Sequence, residues 1–348
     1  MSATFLVGSY GPADDPGVHA VEWDGGGGLR VVGSHGGIAD PSYVAVHPDR
    51  RTCYVVSETG LGSHGRHGAV HALRLDRSDG NVVFTDLGHR STEGDHPCHL
   101  AVDPDGRWVV AANYGSGSIS VFPIGPDGSL GPIASSARHS GSGPHPGRQE
   151  GPHAHATAFS PGGGHLVAAD LGIDRLVVYR FDDGHLESHV GIATEPGAGP
   201  RHLVFVDGAT VLVVEELANR LTRYRWDEAN GTATVVDSAS TLPSDAPPST
   251  AAELRVHGSR VFVSNRGHDS VAVFGLDGTL GRRGIGPCGG SWPRGFAVAP
   301  GGGHLVVANR RSDRLVVVPV AGDLPGDPVG HLVVSEPACV VTLESDRG

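Results

Sequence analysis

One short phrase recurs seven times along this chain of 348 residues. Each copy opens with a brief extended run, usually after proline. The runs are PSYVAVHPD from 41, PCHLAVDPD from 97, PHAHATAFSP from 152, PRHLVFVDG from 200, TAAELRVHG from 250, PRGFAVAPG from 293 and PACVVTLES from 337. A turn rich in Asp, Pro and Gly follows in most copies. A more apolar run comes next: CYVVSE at 53, WVVAAN at 108, LVAADL at 166, VLVVEEL at 211, VFVSNR at 261 and LVVANR at 305. A third run often carries an aromatic (ISVFPI, LVVYRF, LTRYRW, VAVFGL), and Asp/Gly turns lead on to a fourth, less regular one. Four antiparallel strands at a period of roughly 45–55 residues are the signature of a β-propeller blade.

The last copy stops after its first strand, and TFLVGSYG at the start of the chain supplies a second. The expectation is an all-β, seven-bladed β-propeller with four-stranded antiparallel blades. It spans residues 1–348 as a single domain. Its C-terminal strand pairs with the N-terminal strands and closes the ring, which removes two exposed sheet edges. EELANRLTRYRW can be drawn as an amphipathic helix, but its register matches ADLGIDRLVVYRF, so the repeat assigns it to strands. The glycine runs at 25 and around 163 and 302 fit hairpin turns, where glycine supplies positive φ, and not phosphate loops.

Composition narrows the chemistry. All 26 basic residues are arginine, which excludes a Schiff-base lysine and a phosphate-loop lysine. A formal charge of −12 argues against a nucleic-acid partner. A local arginine cluster can still collect a small anion, because a cleft focuses its own field. MSATFLVGSYG carries neither the basic nor the apolar region of a signal peptide. No apolar run approaches the roughly 18 residues of a membrane helix. Cys53, Cys98, Cys288 and Cys339 form no C-x-x-C pair. These features fit a reduced, cytoplasmic protein with free thiols, no membrane partner and a monomeric or weakly homo-oligomeric state.

In a propeller, the start of each blade's first strand and the end of its second lie on one face of the disc. Aligning the first strands puts His155, Arg201 and Arg294 in one column, with Ser42, Cys98 and Ala338 elsewhere in it. Aligning the ends of the second strands puts Glu216, Arg266 and Arg310 in another, beside Tyr114. A single strand-end arginine is an ordinary surface charge. A histidine, a glutamate and several arginines converging from different blades are not what packing alone requires. Arginine binds carboxylate or phosphate bidentately and can stabilise an oxyanion. Histidine moves protons near neutral pH. The set suits opening or closing a lactone on an acidic compound.

His153 shares a face with His155 if both are extended, as a substrate contact, a partner from behind or a loop residue. A metal held by this HxH pair lacks third and fourth ligands at a recognisable spacing, so no metal or other cofactor is expected. His64 and His67 fit solvated loop positions. No G-x-S-x-G or H-E-x-x-H occurs.

The longer motifs RQEGPHAHATAFSPGGGHLVAADLGIDRLVVYRF, GAGPRHLVF with EELANRL, AAELRV with VFVSNRGHDSVAVF, and WPRGFAVAPGGGHLVVANRRSDRLVV cover nearly the whole chain. They resemble the bacterial seven-bladed propeller lactonases. That family includes one type of 6-phosphogluconolactonase and is similar to fungal carboxymuconate-lactonizing enzymes. The resemblance implies a metal-independent site at one end of the channel. It places a catalytic histidine at His155 and arginines at Arg201, Arg266 and Arg294. The glutamate falls at Glu216, here in EEL, with Glu215 the alternative. Apart from the resemblance, the strand-end alignment and the HxH pair add Arg310, Tyr114 and His153 to Arg294 as expected substrate contacts.

The leading expectation is hydrolysis of an anionic sugar lactone such as 6-phosphogluconolactone. His155 would move the proton, Glu216 would orient it, and the arginines would hold the anion and the oxyanion. A lactone-forming cycloisomerase acting on an unsaturated dicarboxylate needs the same arginine clamp. A non-catalytic binding platform would instead call for an aromatic patch, and only 5% of residues are aromatic.

Overall fold

Proline is the first residue of four of the seven innermost strands, at Pro97, Pro200, Pro293 and Pro337. Its missing N–H is tolerated at the start of a strand. The structure, a computed structural model, describes residues 2–343. It contains seven separate antiparallel sheets. The sheets built from residues 44–91, 97–138, 154–193, 200–240 and 250–287 follow chain order, and we number these blades 2 to 6. Blade 7 follows at residues 293–333. Blade 1 takes its innermost strand, Pro337–Thr342, from the end of the chain and adds Ala3–Ser9, Val18–Trp23 and Leu29–His35. Phe5 lies opposite Thr342 and Val7 opposite Val340, so the ring closes as the repeat predicts.

The second strands read as continuous apolar runs because both of their faces are covered. In Ala3–Ser9, Phe5 and Val7 enter the seam with blade 7 while Leu6 enters the seam with blade 2. Seven apolar clusters fill the seven seams between neighbouring blades. The core is therefore a ring of interfaces around the channel. At about 25 cal/mol per Å² of apolar surface removed from water, each seam is a major stabilising element.

EELANRLTRYRW is strand, turn and strand, with Thr210–Glu215 pairing with Arg220–Asp227. Blade 7 departs from four strands. Its outer strand is broken into Leu324–Pro325 and Gly330–Val333, both pairing with Arg314–Ala321. Pro325 and Pro328 lack the N–H that a continuous ladder needs. Among the described residues the helical pieces are one turn at Leu61–His64 and two 3₁₀ turns at Leu171–Ile173 and Arg310–Ser312. None is long and apolar enough to cross a membrane. All four cysteines are free and buried.

Candidate active site

A β-bulge occurs at the same place in successive innermost strands. Register shifts fall between Pro97 and His99, Ala154 and Ala156, Pro200 and His202, and Pro293 and Gly295. The residues left without a partner are Cys98, His155, Arg201 and Arg294. A bulge bends its strand and re-aims the extra side chain. Here it directs these residues to the channel end of each blade. At Gly295, just after Arg294, a Cβ would lie 2.6 Å from the Ala338 carbonyl oxygen, so glycine lets two innermost strands approach closely.

The residue that ends each second strand or directly follows it completes the ring. Tyr10, Glu58, Tyr114, Glu216, Arg266 and Arg310 all line a cavity of about 320 Å³ together with Cys98, Arg148, His155 and Arg294. Blade 4 has buried Leu171 at this register. Its side of the cavity is served by His155 and by Arg148 from the preceding loop. Gln149 plugs that loop into the fold. Its amide donates to the Leu171 carbonyl at 2.8 Å and to Asp174 Oδ1 at 2.7 Å. At Gly172 a Cβ would stand 1.9 Å from the Gly151 oxygen, so only glycine admits the loop here.

Glu216 is the hub. Its Oε1 accepts from Arg148 Nη2 at 2.6 Å. Its Oε2 is 2.7 Å from Arg266 Nη2 and 3.0 Å from Arg201 Nε, although the Arg201 N–H is not aligned for a hydrogen bond. Burial works against the carboxylate, yet Arg266, Arg201 and Arg148 hold it down to about 2. Five guanidiniums (Arg148, Arg201, Arg266, Arg294, Arg310) meet three carboxylates (Glu58, Glu216, Glu336), leaving a local charge of +2.

His155 is 4% exposed, and its Nδ1 is buried without a partner. The ring packs edge-on against Tyr114 at 5.7 Å and His202 at 5.3 Å. Burial, reinforced by Arg201, His202, Arg294 and Arg266, pushes it well below the usual 6.5. It is a neutral imidazole at neutral pH, able to accept a proton. Burial pushes the neighbouring Cys98 thiol up, which removes it as a thiolate nucleophile.

Behind the cavity Arg201 is tied to the channel interior. Its Nη1 donates to the Ala252 carbonyl at 2.6 Å and to His202 Nε2 at 3.1 Å. Arginine only donates, so His202 carries its proton on Nδ1, which faces Glu253 Oε1 at 3.0 Å.

The structure brings His155, Glu216, Arg266, Arg294, Arg310 and Tyr114 around one cavity. Arg201 lies beneath the lining and meets Glu216 from below. His153 does not line the cavity. It stacks on Tyr114 at 4.4 Å, and its Nδ1 lies 3.0 Å from the Tyr114 carbonyl oxygen, so it supports that wall from behind. The expectation that Glu216 orients His155 is corrected, because three arginines occupy its carboxylate. Glu215 faces away, paired with Arg220, so of these two neighbours Glu216 is the one at the cavity. Tyr10, Glu58 and Arg148 line it without having been anticipated. Tyr10 and Glu58 stand at the register of Glu216 in blades 1 and 2, where the alignment could have found them.

Fold and site together define a seven-bladed propeller with an arginine-rich cavity at one end of its innermost strands. The chain belongs to the lactonase family of seven-bladed β-propellers: the family model described as "Lactonase, 7-bladed beta-propeller" matches residues 4–342. It is 34% identical to the 6-phosphogluconolactonase of Bacillus subtilis over 319 residues, covering 89% of each chain. Against a protein of the same name from Formosa agariphila it is 27% identical over 313 residues, covering 86% of this chain and 87% of that one. The solved structure of the periplasmic gluconolactonase of Pseudomonas aeruginosa superposes with a TM-score of 0.92 at 30% identity, covering 99% of each chain. The protein is thus a lactonase.

Proposed function

We propose that this lactonase opens an anionic sugar lactone, with 6-phosphogluconolactone the favoured substrate, and that the channel-mouth cavity is where it does so. The observation that carries this reading is the meeting of a neutral, buried His155 with an excess of guanidiniums in one sugar-sized cavity. The substrate names of the Bacillus and Formosa relatives support it. The four free, buried cysteines suit a reducing compartment, the cytoplasm, although the Pseudomonas relative is periplasmic.

In this reading His155 takes a proton from water as the water oxygen bonds to the lactone carbonyl carbon. The carbonyl electron pair moves onto oxygen, and Arg266 and Arg294 stabilise the oxyanion. The ring C–O bond then breaks as the carbonyl re-forms. The leaving oxygen takes the proton from His155, giving an open-chain hydroxy acid. Arg148 and Arg310 have the most accessible of these guanidiniums, with 35% and 34% of their side chains exposed, and Arg148, in the loop beside Glu216, is placed to meet the substrate's anionic group. Glu216 keeps three mutually repelling arginines together and is too acidic to act as the base.

The test is acid release from freshly made 6-phosphoglucono-δ-lactone, measured against spontaneous opening. Marked acceleration is expected. A rate equal to the spontaneous one would sink the substrate assignment. Product analysis with a muconate-type dicarboxylate in parallel would expose lactone formation instead.

The pH profile is a second check. Reaction requires neutral His155, and its proton affinity is depressed by burial and four cationic or histidine neighbours. Activity should therefore persist as pH falls through 6.5 and decline only well below it. Measuring kcat/KM between about pH 4 and 7 decides this, because its acid limb reports the free enzyme's base. A half-maximum at or above 6.5 would mean that another group carries the proton.

A further inference from the structure

Two carboxylates line the cavity, and they are not equivalent. Both oxygens of Glu216 are taken by arginines. Glu58 is held on one side only. Its Oε2 accepts from the Tyr10 hydroxyl at 2.7 Å and from the Ser42 hydroxyl, and Arg294 Nη2 stands 3.5 Å from the same oxygen. Among the described residues Oε1 makes no hydrogen bond, and the Glu58 side chain, 16% exposed, lines the cavity. Tyr10 is itself fixed, with the Arg310 guanidinium 4.1 Å and the Arg294 guanidinium 5.1 Å from its ring centre. Two hydroxyls from blade 1 and the strand entry of blade 2 therefore lock the Glu58 rotamer. They present one acceptor oxygen in a wall otherwise made largely of donors.

We propose that Glu58 sets the substrate specificity of this site: Oε1 accepts a hydrogen bond from a hydroxyl of a polyhydroxylated lactone and repels a second carboxylate at the same place. This deepens the lactonase reading above and rests on it. A hydrogen bond to an ionised acceptor is roughly twice as strong as a neutral one. A site built to bond a hydroxyl rejects analogues that lack it, because its own polar group is left unpaired. A like charge brought against Glu58 is unfavourable for the same reason that Arg294 beside it is favourable. The geometry thus selects one anionic group, met by the arginines around Glu216, and a hydroxyl-bearing ring edge, met by Glu58. An unsaturated dicarboxylate offers the opposite pattern.

The experiment compares the wild-type protein with Glu58→Ala on two six-membered lactones, glucono-δ-lactone and δ-valerolactone. These share the reacting ester and differ in the ring hydroxyls. Glu58→Ala should lose about 10–100-fold in kcat/KM on the hydroxylated lactone, the worth of one charge-assisted hydrogen bond. On the bare lactone it should lose much less, feeling only the loosened Arg294, so the hydroxylated-to-bare ratio of kcat/KM should fall. A parallel fall on both would show Glu58 to be a purely structural partner of Arg294 and would overturn the proposal.

A binding arm separates this proposal from the lactonase reading. Calorimetry on the same two proteins with gluconate and with adipate should show gluconate bound more tightly by the wild type, and the preference lost in Glu58→Ala. If wild-type protein turns over neither lactone yet keeps that preference, the hydrolytic reading fails and the role of Glu58 stands. Equal binding of adipate and gluconate by the wild type would overturn the role of Glu58 whatever the turnover.

Discussion

His155→Asn should lose about 10²–10⁴-fold in kcat/KM on the lactone, the usual contribution of a positioned general base, while melting close to the wild type. The separation of the two effects follows from the geometry. His155 is buried, but its Nδ1 has no partner, so removing the ring breaks no hydrogen bond at that atom. What disappears is the neutral imidazole that burial, with four neighbours, keeps unprotonated. Steady-state kinetics beside thermal melting checks both halves. A folded variant retaining more than about a tenth of the activity would remove His155 from the proton-transfer role.

Glu216→Ala should be the most destabilising single change at the site. Arg201 and Arg266 are buried and share this carboxylate with the half-accessible Arg148. Removing one partner of a buried ionic cluster costs about 3–5 kcal/mol, because the remaining charges stay buried without compensation. Glu216→Gln keeps the shape and should fall between Ala and wild type.

The acid side gives an independent reading. The Glu216 carboxyl is held down from 4.5 to about 2, so its contribution is fully present above pH 4.5 and is lost as pH falls through about 2. That shift corresponds to about 3 kcal/mol. Wild-type stability should therefore drop more steeply than that of Glu216→Gln between about pH 5 and 2. Denaturant unfolding at several pH values measures it. A Glu216→Ala protein as stable as the wild type would refute the hub.

The blades were legible because each repeat carries its own turn chemistry and a strand buried on both faces. The residues His155, Arg201 and Arg294 were legible because each sits at one register of that repeat. The bulge that aims them was not visible, and it explains why, of the roles open to His153, support from behind is the one it takes. Simple alternation puts His153 and His155 on one face, but the register shift between Ala154 and Ala156 breaks the period of two. Tyr10 and Glu58 occupy, in blades 1 and 2, the same register as Glu216 and Arg310, so the repeat encodes them too. Arg148 had no such handle. It lies in an irregular loop held by Gln149 against Leu171 and Asp174, contacts that link residues 22 and 25 positions apart. No strand periodicity encodes them.

The pairing of Ala3–Ser9 with Pro337–Thr342 also has a consequence for how the enzyme comes into being. During synthesis, blades 2 to 6 can close their mutual seams while the inner edge of blade 1 still waits for its last strand. Tyr10, which braces Glu58, and Arg310, which meets Glu336, belong to the two blades that this strand joins. The candidate cavity thus gains the support of this wall only once Pro337–Thr342 is in place. A message cut short before Pro337 would yield a split ring with most of its seams intact and one wall of the cavity unsupported.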